Sequence, residues 1–123
     1  MSTTEVILKY YANVNAGNWD AWLELFDENL VMDEQLMGHV EGLGALAGVA
    51  QGLKTGFNKF LMFPVHVVVE GNEAAVIWRF EAETAKGAPI NANGANFFRV
   101  EHGKITYMSN FHDTKPFAPL TEG

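Results

Sequence analysis

Four polar or titratable side chains in this sequence sit within otherwise apolar stripes: Tyr10, Glu34, Asn96 and His112. Tyr10 recurs with Val6 and Val14 at intervals of four, which places it on one apolar face of a helix. Glu34 shares a strand face with Leu30 and Met32, because side chains alternate across a strand. By the same rule Asn96 aligns with Phe98 and Val100, and His112 with Met108 and Asn110. A carboxylate among apolar side chains must find partners or take up a proton, and this is the setting in which carboxylates serve as general bases. A phenol or a carboxamide can donate a hydrogen bond to a developing oxyanion. Each residue also has a plainer reading. Glu34 would face water at a strand end, Tyr10 would be a core tyrosine, Asn96 a bulge residue in an Asn/Gly-rich stretch, and His112 a packing histidine.

Composition removes other chemistries. Cysteine is absent, so disulfides, thiolate nucleophiles and Cys-ligated metals drop out, and a reducing compartment, the cytoplasm, is the expectation. The four histidines, His39, His66, His102 and His112, show no metal-ligand spacing, and no phosphate loop, dinucleotide fingerprint or serine elbow occurs; no metal and no cofactor are expected. The formal net charge is −7, without a Lys/Arg cluster to neutralise phosphates, so nucleic acid is not an expected partner.

The elements that must position these groups follow from pattern. Length, at 123 residues, and a hydrophobic fraction of 48% fit one domain spanning 1–123. Ser2-Thr3-Thr4-Glu5 predicts a capping box and Gly17 a left-handed stop, bounding a first helix. Asn18 caps a second helix with the stripe Trp19, Trp22, Leu23 and Phe26. A short strand over Leu30–Gln35 precedes a third helical segment from Gly42 to about Phe60, in which Gly44, Gly48, Gly52 and Gly56 form a smooth row that predicts tight packing on a sheet. Gln51, Lys54, Asn58 and Lys59 interrupt its apolar run, so a membrane span is not expected. After Pro64 alternation predicts four strands, joined by turns at Gly71-Asn72, Lys86-Gly87-Ala88-Pro89 and His102-Gly103. Three helices, one short strand and a four-strand meander make an α+β arrangement enclosing a conical pocket.

The order α-α-β-α-β-β-β-β, with the strings Tyr10-Tyr11-Ala12-Asn13-Val14-Asn15-Ala16-Gly17-Asn18, Leu25-Phe26-Asp27-Glu28-Asn29 and Phe97-Phe98-Arg99-Val100-Glu101-His102-Gly103-Lys104-Ile105, resembles the nuclear transport factor 2-like superfamily. The resemblance is to its ketosteroid isomerase and SnoaL-like polyketide cyclase branches and runs from about residue 3 to 117. It implies a cystatin-like conical barrel, with three helices packed on a curved, mainly antiparallel sheet. Position by position, it implies Tyr10 as donor to the substrate oxygen, Glu34 in place of the family's catalytic aspartate, and Asn96 in place of a second, protonated aspartate. Glu for Asp moves the carboxylate by about one methylene, and ~1 Å of misplacement is costly in rate. Asn for Asp keeps a neutral donor. The resemblance also turns His112 toward the pocket, whose other walls would be Trp22, Met32, Phe98, Met108 and Asn110. The implied activity is proton transfer next to a carbonyl on a small apolar or carbonyl-bearing molecule, of isomerase, cyclase or dehydratase type. The alternative is a non-catalytic binding or dimerisation module of the same fold. A homodimer through the outer sheet face is expected, with Phe97 among Arg99 and Glu101 suited to the contact.

Overall fold

The computed structural model describes residues 1–122. The first helix, α1 (Thr3–Ala16), starts on a complete capping box: the Ser2 hydroxyl accepts from the Glu5 N–H at 3.1 Å, and the Glu5 carboxylate accepts from the Ser2 N–H at 3.3 Å. Such a cap stabilises a helix by about 1 kcal/mol. Gly17, at φ 69°, ends it in the left-handed region that favours a residue without Cβ. One face of α1 buries Val6, Ile7, Tyr10, Tyr11 and Val14. Asn18 caps α2 (Trp19–Leu23) by accepting from the Ala21 N–H at 3.4 Å.

The first strand, β1 (Phe26–Glu34), begins earlier than alternation alone predicts and stops at Glu34. Its buried residues include Leu30, Met32 and Glu34, so the expected face holds. After a turn at 35–37 an additional strand, β2 (Gly38–Glu41), folds back antiparallel on β1. Four residues with one buried position, Val40, are too few to announce themselves by periodicity.

The third helix, α3 (Leu43–Gly56), ends at Gly56 and not near Phe60, and β3 (Phe57–Glu70) begins at once. Residues 57–63 are apolar enough for either state, and pairing with β4 (Glu73–Thr84) decides for the strand. The glycine row departs from expectation too. A Cβ at Gly44, Gly48, Gly52 or Gly56 would meet nothing within 4 Å, so the row faces open space. The helix packs through Leu46 and Ala50, flanked by Leu43, Val49 and Leu53, since only those positions carry apolar area to remove from water.

Two further strands, β5 (Pro89–Glu101) and β6 (Lys104–His112), complete a six-stranded sheet in the order β2-β1-β6-β5-β4-β3. Every neighbouring pair is antiparallel except β1 with β6, which is parallel. A 3₁₀ turn (Lys115–Phe117) and a short α4 (Pro119–Glu122) follow. The three main helices pack on the curved sheet around a core that includes Trp78, Phe80, Phe98, Leu30 and Met108. Asn15 hooks α1 to the edge strand: its amide donates to the Met62 carbonyl at 2.9 Å and accepts from the Met62 N–H at 2.7 Å. This satisfies backbone groups that an edge strand otherwise leaves unpaired. Among the described residues no helix is long and apolar enough to cross a membrane.

At the outer edge, register sets Asp33 opposite His39. Their Oδ1 and Nδ1 atoms are 2.6 Å apart, and the Tyr107 hydroxyl donates to Asp33 Oδ2 at 3.0 Å. The hydrogen bond to His39, then that from Tyr107, hold the Asp33 carboxyl below its ordinary 3.8, while the bond to Asp33 raises His39 above its ordinary 6.5. The signs are opposite. The Asp33 contribution to stability is present above its ordinary value and is lost as pH falls through its lowered one. The His39 contribution is present below 6.5 and is lost as pH rises through its raised value. Both groups are exposed, so the effect is local. In an NMR titration the His39 imidazole should reach its midpoint above 6.5, and Asp33→Asn should lower it, leaving the smaller contribution of Glu41, whose Oε1 lies 3.6 Å from His39 Nε2. A midpoint unmoved by that substitution rules Asp33 out as the cause.

Candidate active site

Because β1 and β6 are parallel, with Met32 opposite Met108 and Asp33 opposite Ser109, their C-terminal ends meet. Glu34 arrives from one strand and Asn110 and His112 from the other, all on the face that carries Met32 and Met108. The side chains of His112 and Glu34 are 3% and 5% exposed, and His112 Nε2 is hydrogen-bonded to Glu34 Oε1. Glu34 Oε2 accepts from the Leu36 N–H at 2.7 Å and the Met37 N–H at 2.9 Å, so the β1–β2 turn wraps around the carboxylate.

The second ring nitrogen settles the tautomer. His112 Nδ1 lies 2.9 Å from the Asp113 carbonyl oxygen, which can only accept, so Nδ1 carries a proton. Neutral His112 then presents a lone pair on Nε2 toward Glu34. A single proton lies between the two groups, making either a carboxylic acid against imidazole or a carboxylate against imidazolium. Both forms are neutral as a pair, which is how a charge-bearing couple is tolerated among apolar side chains. A carboxylate has about four lone-pair sites, and three are taken here, leaving one on Oε1.

Tyr10 reaches the site from α1 and is 4% exposed. Its ring packs against Phe98 at 5.0 Å and Trp22 at 5.8 Å between centroids. Burial pushes its phenol well above the ordinary 10.0; the Trp22 indole N–H works against that rise, and the Glu34 charge adds to it. The phenol keeps its proton at any working pH and acts as a donor. The indole N–H beside it is not aligned into a hydrogen bond: Trp22 Nε1, like Asn110 Oδ1, is buried without a partner among the described residues.

These groups border a cavity of about 160 Å³. Phe57, Phe60, Phe80 and Phe117 supply apolar wall, and the exposed Leu36, Met37 and Leu120 form a rim. Tyr10, Glu34 and His112 line it, as do Trp22, Met32, Met108 and Asn110 among the residues expected as walls. Asn96 and Phe98 do not. Phe98 is 0% exposed and lies in the core against Tyr10 and Tyr11. Asn96, 1% exposed, has both polar atoms engaged within the core: Oδ1 accepts from Trp78 Nε1 at 3.0 Å, and Nδ2 donates to the Tyr11 hydroxyl at 2.9 Å. The expected second oxyanion donor is thus a structural amide, because two buried partners claim it first.

Trp78, to which the sequence assigns no part in the site, also lines the cavity. Register lines up Trp78, Gly94 and His112 across three strands, and the indole lies over Gly94 to approach His112, with ring centroids 6.1 Å apart. A Cβ at Gly94 would come within 2.5 Å of that indole and 2.6 Å of the Phe111 carbonyl oxygen. A glycine inside a strand was the available signal, since it marks a close approach. Among the described residues no three His, Cys, Asp or Glu side chains are grouped to hold a metal ion.

A curved sheet closed by helices around such a cavity defines the nuclear transport factor 2-like class. Within it, the chain belongs to the SnoaL-like domain family, which it matches over residues 7–108. The fold is similar to that of a Pseudomonas putida protein proposed to be a polyketide cyclase, at 21% identity and TM-score 0.85 over 98% of each chain. It is likewise similar to a nuclear transport factor 2-like protein of unknown function from Burkholderia pseudomallei, at 14% identity and TM-score 0.89 over 100% of each chain. TerC, co-crystallised with polyporic acid, aligns at 19% identity and TM-score 0.84 over 98% of each chain. No curated protein matches the chain.

The Asn96 assignment has a stability consequence. Asn96→Leu keeps the volume but strands the Tyr11 hydroxyl and the Trp78 N–H, at about 1–3 kcal/mol for each buried unpaired group. Urea unfolding should show a loss of about 2–6 kcal/mol. A loss below about 1 kcal/mol would mean that the amide does not hold the two rings.

Proposed function

We propose that this chain is a cofactor-independent enzyme that moves a proton at the carbon next to a carbonyl in a small, largely apolar molecule, as isomerases, cyclases and dehydratases do. The observation that carries this reading is the pairing, in one apolar cavity, of a carboxylate held by three hydrogen bonds with a buried phenol that keeps its proton. Glu34 takes the substrate proton through the free lone pair on Oε1. Tyr10 donates to the oxygen on which the enolate charge develops. Taking the substrate proton turns the neutral Glu34–His112 pair cationic, a charge offset by the enolate formed beside it, and returning the proton to another carbon restores both to neutrality. Asn96 has no part in this scheme except through Trp78.

The scheme predicts that the protein catalyses proton–deuteron exchange at the α carbon of small enones or cyclic ketones, followed by NMR. Glu34→Gln and Tyr10→Phe should each slow it by ~10² or more. Losses of only a few-fold at both positions would favour a second reading, a non-catalytic binding module, for which the full engagement of His112 and the near-full engagement of Glu34 speak.

A homodimer belongs to the same proposal. The outer sheet face carries an apolar band in which Ile77 stands opposite Ala95 and Ala95 opposite Phe111, with Ala75 opposite Phe97 and Val68 opposite Ala75. Ile77, Phe111 and Val68 are 50%, 54% and 65% exposed. The Arg99–Glu73 and Arg79–Glu81 pairs flank the band, the apolar centre and polar rim of an association surface. Sedimentation should give a dimer at micromolar concentration and a monomer for Ile77→Asp. A monomeric parent protein overturns this part.

A further inference from the structure

Two side-chain polar atoms among the described residues are buried without a hydrogen-bond partner, Trp22 Nε1 and Asn110 Oδ1, and both residues border the cavity. Asn110 is the more informative, because its surroundings account for the rest of the residue. Its backbone carbonyl accepts from Gln35 Nε2 at 3.0 Å, which anchors β6 at this point. Register sets Met32 opposite Met108 and Asp33 opposite Ser109; one residue further along the two strands come Glu34 and Asn110, and both line the cavity. Asn96, opposite Asn110 on β5, has its own amide engaged with Trp78 and Tyr11. Asn110 Oδ1 is thus a buried acceptor to which no neighbour donates, a state that costs stability and that native proteins keep rarely.

A ligand in the cavity is the remaining source of a donor. The walls are mostly apolar, so a charged donor would be costly to bring in, whereas a hydroxyl is neutral. A hydroxyl also suits the carboxamide whichever way it is turned: it donates to Oδ1 or, after a half-turn of the soft terminal torsion, accepts from Nδ2. A ketone oxygen only accepts and leaves Oδ1 unpaired. We propose that Asn110 is a specificity residue that holds a hydroxyl group of the ligand on the Glu34 side of the cavity, so that the site takes a hydroxylated carbonyl compound in preference to its deoxy analogue. This rests on the reading of the cavity as the site of a small carbonyl-bearing molecule and adds a second polar group that the molecule carries.

The test reads binding alone, so it is independent of turnover. The meta and para hydroxyacetophenones are fitting probes, since an apolar cavity of about 150 Å³ accepts a benzene ring, and the matching methylacetophenones are their shape controls. Asn110→Leu, similar in volume but without the amide, should weaken at least one hydroxylated compound about tenfold and leave its methyl counterpart within twofold. A second measurement needs no variant: in the parent protein the side-chain amide NMR signals of Asn110 should move with that hydroxylated compound and stay nearly still with the methyl one. Equal weakening of both compounds, affinities unchanged by Asn110→Leu, or amide signals indifferent to the hydroxyl overturn the proposal while leaving the carbonyl reading of the cavity standing. Failure of all four compounds to bind the parent protein overturns both. A hydroxyl-dependent response at Asn110 in a protein without exchange activity upholds the proposal while removing the enzymatic reading.

Discussion

The parallel contact between β1 and β6 is the constraint on which the site depends. Antiparallel strands would bring the end of one beside the start of the other and separate Glu34 from His112 by the length of the sheet. Parallel pairing makes both strands end together, and the crossover through α3 and the β3–β4–β5 meander is what permits it. Once the ends meet, two side chains that are individually costly to bury become a neutral, proton-sharing pair. The β1–β2 turn then closes on the remaining carboxylate oxygen.

One wall of the cavity is held by a buried hydrogen-bonded network. Asn96 ties Trp78 to Tyr11, and Gly94 leaves room for the indole to cross its strand and line the cavity. The result is a polar network buried beside the site that takes no direct part in it. Such networks specify one packing arrangement when every member is satisfied, as the Asn96 amide is.

Much of the fold was legible from local signals. The capping box at Ser2, the glycine stop at 17, the Asn18 cap and the alternation of β4 all correspond to structure, because each depends on contacts within a few residues. Where local signals were weak or shared, expectation failed. β2 was too short to show a period, and the 57–63 run suited helix and strand alike until β4 paired with it. The glycine row suggested close packing, yet the apolar side of α3 determined which face turned inward.

For the site, sequence alone determined which faces Tyr10, Glu34 and His112 occupy, since periodicity along one element fixes the direction of a side chain. Tertiary structure alone decided who their partners are. Asn96 and Asn110 are both carboxamides on inward strand faces, opposite one another in register, and no sequence pattern distinguishes them. One was taken by Trp78 and Tyr11, and the other was left at the cavity with an unpartnered oxygen. The difference arises because hydrogen bonds form between groups that folding brings within about 3 Å, and distance in space is not written in the spacing of residues along the chain.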